Sequence, residues 1–405
     1  MSKLTKRFAH KIYDNTGVYI MTLPADLITN LPSYTWSING GMGEMVIHLA
    51  MTIKEFSGSY ENSIIKFGNI VRTVVTDIPN GQMPMRIFSG YITAYEPIMN
   101  DEGHEEIIIH VTSTTKTLAD QIFHDGAATT KAYNSLDPAN ILKNVLDKYG
   151  GIIHYTGSTI APTSTTVSYT MSFLSYREAV DICLGLCPSF WYWYVDADDV
   201  FWLQQPNFDV INHLLFIGKQ VTAINANKSI EQLYNEVFFK GGGEPPLYKT
   251  LSRSASITDY GRRAYKMQDE RVTVAGTATT FMNKFLDEHD HPLSEVLAKV
   301  IDNAASTDRG YDIESFRPGQ VVQIKHPRIG EGISLWDVAE WDIDFWDFNI
   351  IYSLSLPMQI IEINYQFDHV ILKLSLVPPD VAHRIEDINR NLDTVRSEGI
   401  PSTPS

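Results

Sequence analysis

A strand-rich stretch near the start of the chain has a counterpart near its other end, and no other feature restricts the fold as much. The first copy opens with Phe67-Gly68-Asn69-Ile70-Val71 and runs as a β-branched strand to Val75. After an excursion it resumes at Arg86-Ile87-Phe88-Ser89-Gly90-Tyr91-Ile92, turns at Asn100 to Gly103, and closes with Glu106 to Val111. The second opens with Pro318-Gly319-Gln320-Val321-Val322 and strands on to Ile324. It makes its own excursion, resumes at Met358-Gln359-Ile360-Ile361-Glu362-Ile363, turns at Phe367-Asp368-His369, and closes with Val370 to Leu374. Both read as a strand opened by glycine, a long excursion, a strand, a turn and a closing strand. One chain then carries two similar β-units, offset by roughly 250 residues, as an internal repeat.

With 405 residues, two to four domains are expected rather than one core. An apolar content of 44% with 20% charged residues is that of an ordinary folded protein. No apolar run approaches the ~18 residues of a membrane span. Met1 to Arg7 is basic but leads into no apolar segment, which argues against a signal peptide. Cys183 and Cys187 lie four apart; on a helix they share a face but point in parallel, so free thiols are expected. A formal charge of -16 disfavours gripping phosphates, though not DNA passing by without being held.

In chain order, Arg7 to Tyr13 and Val18 to Leu23 flank the hairpin signal Asp14-Asn15-Thr16-Gly17. Tyr34 to Asn39, a glycine turn at Gly40 to Gly43, and Glu44 to Ala50 complete an all-β region to about residue 120. A short helix is expected from Thr115 to Phe123. Asp137 reads as an N-cap before Pro138, opening a helix whose apolar face is Ile141, Leu142, Val145, Leu146 and Tyr149. Strand character from Thr165 to Phe173 precedes Ser175-Tyr176-Arg177-Glu178, a capping box, with Cys187-Pro188 as the stop. An aromatic hairpin, Phe190 to Val195 and Val200 to Leu203, ends a small α+β domain at residues 121–206. Tyr234 to Lys240 reads as a strand of the second β-unit, split from the rest by an insertion containing a helix from Leu293 to Ala304.

Motifs for catalysis or metal binding are missing. His104-Glu105-Glu106 has no histidine at the spacing a zinc helix needs, and His289-Asp290-His291 has no third ligand in view. Asp196-Ala197-Asp198-Asp199 lacks the glycine and distal glutamate of a calcium loop. No Gly-x-Ser-x-Gly elbow occurs. No cofactor is expected. Trp336-Asp337, Trp341-Asp342 and Trp346-Asp347 recur every five residues, a spacing unlike that of a propeller. The pattern fits a loop pinned by aromatic anchors; a tryptophan beside an aspartate can also stack on a sugar. Trp336, Trp341 and Trp346 are therefore the aromatic contact segment to place.

Taken together, Trp36 to Glu44, Phe67 to Val71, Ile87 to Ile92, Asn235-Glu236-Val237, Tyr260-Gly261-Arg262-Arg263 and Arg317 to Val322 resemble the tail-tip and baseplate hub proteins of tailed bacteriophages. That family includes the hub of contractile tails, siphophage minor tail proteins and the hub part of tail-associated lysins. The resemblance covers residues 7 to 378. It implies a mainly β fold with α+β parts: tube-like β-barrels at 1–120 and at 207–245 plus 306–378, the α+β domain at 121–206, and an inserted domain at 246–305. It also implies a homotrimer whose six barrels adapt a hexameric tail tube to a three-fold tip in the virion, with DNA crossing the lumen. The implied partners are the tail tube or distal tail protein, the tape-measure protein and tip or fibre proteins, with no membrane anchor. Unlike lysin-bearing members, a chain ending at 405 is expected to have no lytic domain, and the reading is non-enzymatic. The alternatives are a receptor-binding tail protein whose Trp-Asp segment reads a host glycan, and a wall hydrolase within 121–305.

Residues 379–405 add one element. Val381, Ile385, Ile388, Leu392 and Val395 are spaced four, three, four and three, the alternation of a coiled-coil seam. Asp380 caps the start after Pro378-Pro379. About two heptads are marginal as an isolated helix, so such a seam is expected to follow trimerisation by the barrels.

Overall fold

The computed structural model describes residues 6–61, 63–77, 84–99, 103–126, 128, 130–302, 310–325 and 357–375. The Trp-Asp segment with Trp336, Trp341 and Trp346, and the seam Val381, Ile385, Ile388, Leu392 and Val395, lie outside the described residues.

β1 (Lys6–Tyr13) and β2 (Tyr19–Thr22) form the expected hairpin. The Asp14 carboxylate accepts the backbone N–H of Thr16 at 2.9 Å and of Val18 at 2.8 Å, and Gly17 supplies the left-handed residue at φ +87°. β3 (Ser33–Ser37), β4 (Gly41–Met42), β5 (Glu44–Leu49), β6 (Ile70–Asp77), β7 (Met85–Met99) and β8 (Glu105–Ser113) follow. Six of these make an antiparallel sheet in the order β2-β1-β6-β7-β8-β5. Period-two alternation sends Met45, Ile47, Leu49, Ile107, Ile109 and Val111 into the core and leaves the residues between them on the outer face.

The middle of the chain follows its local signals. β9 (Thr130–Leu136) pairs with β10 (Val167–Ser172), and β11 (Tyr192–Val195) with β12 (Phe201–Gln204). α1 (Pro138–Lys148) is capped by Asp137, whose carboxylate also ties down Thr163 and Ser164. α2 (Tyr176–Leu186) carries the complete Ser175–Glu178 capping box and ends at Cys187. Cys183 and Cys187 are free and buried. The stretch read as a helix from Thr115 is shorter: a 3-10 turn at Thr114–Lys116 and one α-turn at Thr117–Asp120. Trp193 is 0% exposed and stacks on Phe201 at 5.3 Å.

β13 (His213–Phe216), β14 (Val221–Ser229), β15 (Glu236–Gly241), β16 (Tyr248–Ser252), α3 (Ser254–Tyr260), β17 (Ala264–Asp269), α4 (Ala275–His289), β18 (Leu293–Ile301), β19 (Val321–Lys325), β20 (Pro357–Gln366) and β21 (His369–Ser375) complete the chain. The second large sheet runs β13-β19-β20-β21-β18-β14, parallel only between β13 and β19. Its terminal strands β13 and β14 are consecutive in sequence, so the sheet must curl until its two ends meet at the turn between them. Neither large sheet closes into a barrel among the described residues.

Three expectations are corrected here. Leu293 to Ala304 is not a helix: Val296, Ala298 and Val300 face inward in β18 while Glu295, Leu297 and Lys299 face outward. Its apolar residues fit both periods, and the open edges of β14 and β21 decide for the strand. The helix of this region is instead α4, which begins without a side-chain cap. The strand at Tyr234 to Lys240 is not part of the second β-unit's sheet. β15 lies in a separate three-stranded sheet between β16 and β17, and Val237 and Phe239 pack into the core of the α+β part. The chain therefore leaves the second unit after β14 and returns as β18. Finally, β3 does not stay with its own unit: Ser33–Ser37 pairs antiparallel with Glu362 to Gln366 of β20.

The two units nonetheless share their construction. β6, β7, β8 and β5 lie side by side in one sheet as β19, β20, β21 and β18 do in the other. Gly68 and Gly319 both sit in the left-handed region, at φ +83° and +84°. The N–H of Gly68 bonds the Ile92 carbonyl, and that of Gly319 the Ile360 carbonyl, at 3.0 and 2.7 Å. Ile92 and Ile360 in turn donate to Asn69 and Gln320, each at 2.9 Å. A bulge follows both isoleucines, shifting the register against β8 and β21 at the same place.

The two glycines differ in their surroundings. A Cβ on Gly68 meets nothing within 4 Å, whereas on Gly319 it falls 1.9 Å from the Tyr192 ring. Gly68→Ala is expected to lose about 1–2 kcal/mol from backbone strain alone. Gly319→Ala should lose about 1–3 kcal/mol more through overpacking against Tyr192. Urea denaturation of both variants checks the order; equal losses would contradict it.

Candidate functional site

The described residues converge on a joint between the two large sheets and the aromatic hairpin. Trp36 of β3 stands at its centre. Its indole N–H donates to the Val195 carbonyl at 3.1 Å, its ring meets Tyr194 edge-on at 5.9 Å, and the Arg317 guanidinium lies 5.5 Å from its centroid. β3 thus touches the α+β hairpin on one side and the second sheet on the other. Tyr34, two residues earlier, stacks on Tyr365 at 5.0 Å and contacts Phe88 of the first sheet at 5.3 Å. Asn39, at φ +55°, locks the turn: its N–H bonds the Trp193 carbonyl at 2.7 Å and its side-chain oxygen accepts the Trp193 N–H at 3.0 Å. A cavity of about 190 Å³ remains between the three parts, lined by Trp36, Arg86, Asp198, Glu314, Phe316 and Arg317 among others.

Two buried ionic clusters fasten this joint. Lys6 of β1 reaches across to the second unit, where its Nζ lies 2.6 Å from Asp302, contacts Glu314, and donates to the Phe367 carbonyl at 2.9 Å. The side chains of Lys6, Asp302 and Glu314 are 2%, 2% and 3% exposed, so none is stabilised by bulk water. Tyr365 completes the cluster by donating to Glu314 at 2.7 Å. Burial pushes the Glu314 carboxyl up, against the pull of Lys6 and the Tyr365 hydroxyl.

The second cluster surrounds Asp199, in the turn between β11 and β12 at φ +64°. Its oxygens accept from Thr114 Oγ1 at 2.9 Å and Ser89 Oγ at 3.2 Å, with Arg86 and Arg72 at 3.8 and 3.9 Å. Burial again raises the pKa, more than its donors and the two arginines lower it. Sequence reasoning treated this turn only as a failed calcium loop. A third acid directly before β12 was the available signal, but nothing in the sequence names Ser89 and Thr114 as its donors.

Other singled-out residues make local contacts. His289 Nδ1 lies 2.8 Å from the Phe285 carbonyl, one turn back on α4, and His291 contacts Asp290. Glu105 accepts the Ile53 N–H at 2.6 Å, and Glu106 binds Thr29 and His48. Among the described residues no three His, Cys, Asp or Glu side chains stand close enough to hold a metal ion. No described helix is long and apolar enough to cross a membrane.

No protein-family model and no curated protein matches the sequence. Solved structures of similar fold include prophage tail protein gp18 from Listeria monocytogenes EGD-e, at 12% identity and TM-score 0.52, covering 95% of this chain and 99% of that one. The 43 kDa tail protein of prophage MuSo2 from Shewanella oneidensis is 14% identical with a TM-score of 0.56, covering 93% and 98%. The tail protein from Neisseria meningitidis MC58 is 9% identical with a TM-score of 0.56, covering 91% and 96%. At such identities the likeness establishes a shared fold over nearly the whole chain.

Lys6→Met should cost about 3–5 kcal/mol, because it leaves two buried carboxylates without their cation. Calorimetry tests this; a loss within about 0.5 kcal/mol, as for a surface site, would contradict the cluster's role. On the same strand, His10 is buried with Nδ1 2.8 Å from Thr73 Oγ1, and desolvation lowers its pKa from 6.5 to about 3. The unfolded chain binds a proton there below pH 6.5, whereas the folded chain does not until about pH 3. Stability from this residue is therefore complete above pH 6.5 and is lost as the pH falls toward about 3. The slope is up to about 1.4 kcal/mol per pH unit. His10→Gln should flatten the fall in Tm between neutral pH and about pH 4. An unchanged fall would show that other groups dominate.

Proposed function

We propose that this chain is a structural hub protein at the distal end of a phage or phage-like tail. In this reading it is a homotrimer that adapts a hexameric tail tube to a three-fold tip and forms part of the DNA conduit. The observation that carries it is the pair of equivalent β-units in one chain, sharing sheet order, glycine turn and bulge. Three such chains offer six near-equivalent units, which is what a six-fold tube needs from a three-fold neighbour. The end-to-end likeness in fold to three tail proteins supports the setting. The two large sheets take the part of tube-like barrels. The net charge of -16 suits a wall past which DNA slides without sticking.

In this proposal the protein is non-enzymatic and resides at the tail tip of the virion. It meets the tube or distal tail protein above, the tape-measure protein within, and tip or fibre proteins below. The three C-terminal segments join through Val381, Ile385, Ile388, Leu392 and Val395 once the β-units have trimerised. Light scattering of the purified protein should give three times the 45.7 kDa chain mass, and negative-stain averages a three-fold ring with a central hole. A monomer or dimer without a ring would sink the reading. Ile385→Asp with Ile388→Asp should leave the ring trimeric and splay the tails. Collapse to monomers would make the C-terminal helix, rather than the β-units, the assembling element.

A further inference from the structure

The insert between β14 and β18 has two faces of opposite character. Its sheet runs β16-β15-β17, and on the inner face Val237, Phe239, Leu251 and Met267 pack against α4 and the α+β core. Cross-strand register fixes the outer face. There Phe238 stands between Thr250 and Lys266, and Lys240 between Tyr248 and Gln268. Tyr248 is thus the diagonal neighbour of Phe238, within reach of an aromatic ring. Phe238 is 43% and Tyr248 68% exposed, and Lys266 is exposed beside them. Glu236, the acid of this face, already accepts two bonds from the Arg262 guanidinium, at 2.6 and 2.5 Å. Among the described residues neither Lys240 nor Lys266 has a carboxylate partner. On a chain of net charge -16, this face therefore offers two rings and two uncompensated cations.

One exposed ring calls for no explanation. Two neighbouring rings flanked by lone lysines fit a ligand that carries aromatic groups beside acids, and the sequence holds such a segment. Residues 326–356, outside the described residues, contain Trp336-Asp337, Trp341-Asp342 and Trp346-Asp347, and have six acids against a single arginine, Arg328.

The second large sheet roots both parts at one end. β18 and β20 run antiparallel to β21, where Ser375 stands opposite both Glu295 and Gln359. Leu293, where the insert rejoins, and Pro357, where the segment rejoins, therefore begin their strands at the same end, two strand spacings or about 10 Å apart. Their other roots lie there too: Ser229 pairs with Leu293, and Lys325 follows the Gln323–Pro357 pair by two residues. With both ends held, a segment of this length reaches out by roughly 50 Å when extended.

We propose that the Trp-Asp segment docks on the outer face of the insert of its own chain. Its tryptophans meet Phe238 and Tyr248, and its aspartates meet Lys240 and Lys266. Each such contact is weak at a wet surface, but tethering makes the encounter intramolecular, at an effective concentration on the order of 1 mM. This pairing needs no partner protein and stands apart from the hub reading.

The test uses the full-length protein with Lys266→Cys and Asp342→Cys, since Cys183 and Cys187 are buried. Mild oxidation should join the two positions within one chain, read by mass spectrometry of the linked peptides. The exposed Lys54 lies in the first unit, and Lys54→Cys with Asp342→Cys is the control for random collision. The insert pair should form at least about tenfold faster than the control. Phe238→Ser or Lys240→Glu should remove most of that advantage with unchanged Tm, and 1 M salt should reduce it. If either variant fails to fold, Tyr248→Ser probes the same face from β16. Equal rates for the insert pair and the control overturn the proposal, as does a crosslink formed only between chains. So does an advantage that survives in the folded face variants. A single-stranded oligonucleotide bound by the parent and lost with Phe238→Ser, alongside control-level crosslinking, would assign the face to nucleic acid instead.

Discussion

The pairing of β3 with β20 is the constraint on which the rest of this architecture depends. A strand of five residues leaves the unit that precedes it and fills the edge of a sheet formed more than three hundred residues later. An edge strand offers unpaired N–H and C=O groups that must be satisfied, and β20 shares its flank between β19 and β3. Once β3 is in place, Tyr34 and Trp36 are set between both sheets and the aromatic hairpin. The three parts then bury one another's aromatic rings, each worth kilocalories of removed apolar surface.

Around that splice the chemistry is divided by place. Apolar alternation holds each sheet together internally, and the charged clusters sit at the seams. Lys6 with Asp302 and Glu314 ties the first strand to the second unit. Asp199 with Arg72, Arg86, Ser89 and Thr114 ties the α+β hairpin to the first sheet. Apolar contact tolerates sliding, whereas a buried charge is strongly destabilised by any arrangement that leaves its partner behind. Ionic seams between apolar bodies therefore fix one relative placement at a cost in desolvation.

The repeat shows which parts of a unit its geometry dictates. The left-handed glycine and the bulge recur together because the glycine turns the chain into β6 or β19 beside the isoleucine of β7 or β20 after which the bulge shifts the register. What differs is what the units carry. The first lends its β3 to the second. The second, at the corresponding point after β14, departs into β15, β16, β17 and α4 and packs them against the α+β core.

Local chemistry could be read from the sequence because its causes lie within a few residues. The Asp14 to Gly17 turn, the Asp137 cap, the Ser175–Glu178 box, the aromatic hairpin and the two glycine-opened strands all appear where their residues direct. So does the repeat, since matching strands and turns leave matching patterns. α4 escaped notice because its opening, Ala-Gly-Thr-Ala-Thr-Thr, is poor in helix formers and has no capping side chain; its stability comes from Ala278, Met282 and Leu286 against the neighbouring core. β18 was ambiguous because its apolar residues satisfy two periods at once. The partners of β3, β15, Lys6 and Asp199 were not written locally at all. Sheet edges and buried charges find complements by proximity in the folded chain, so only the tertiary structure could decide which strand joins which sheet and which carboxylate receives Lys6.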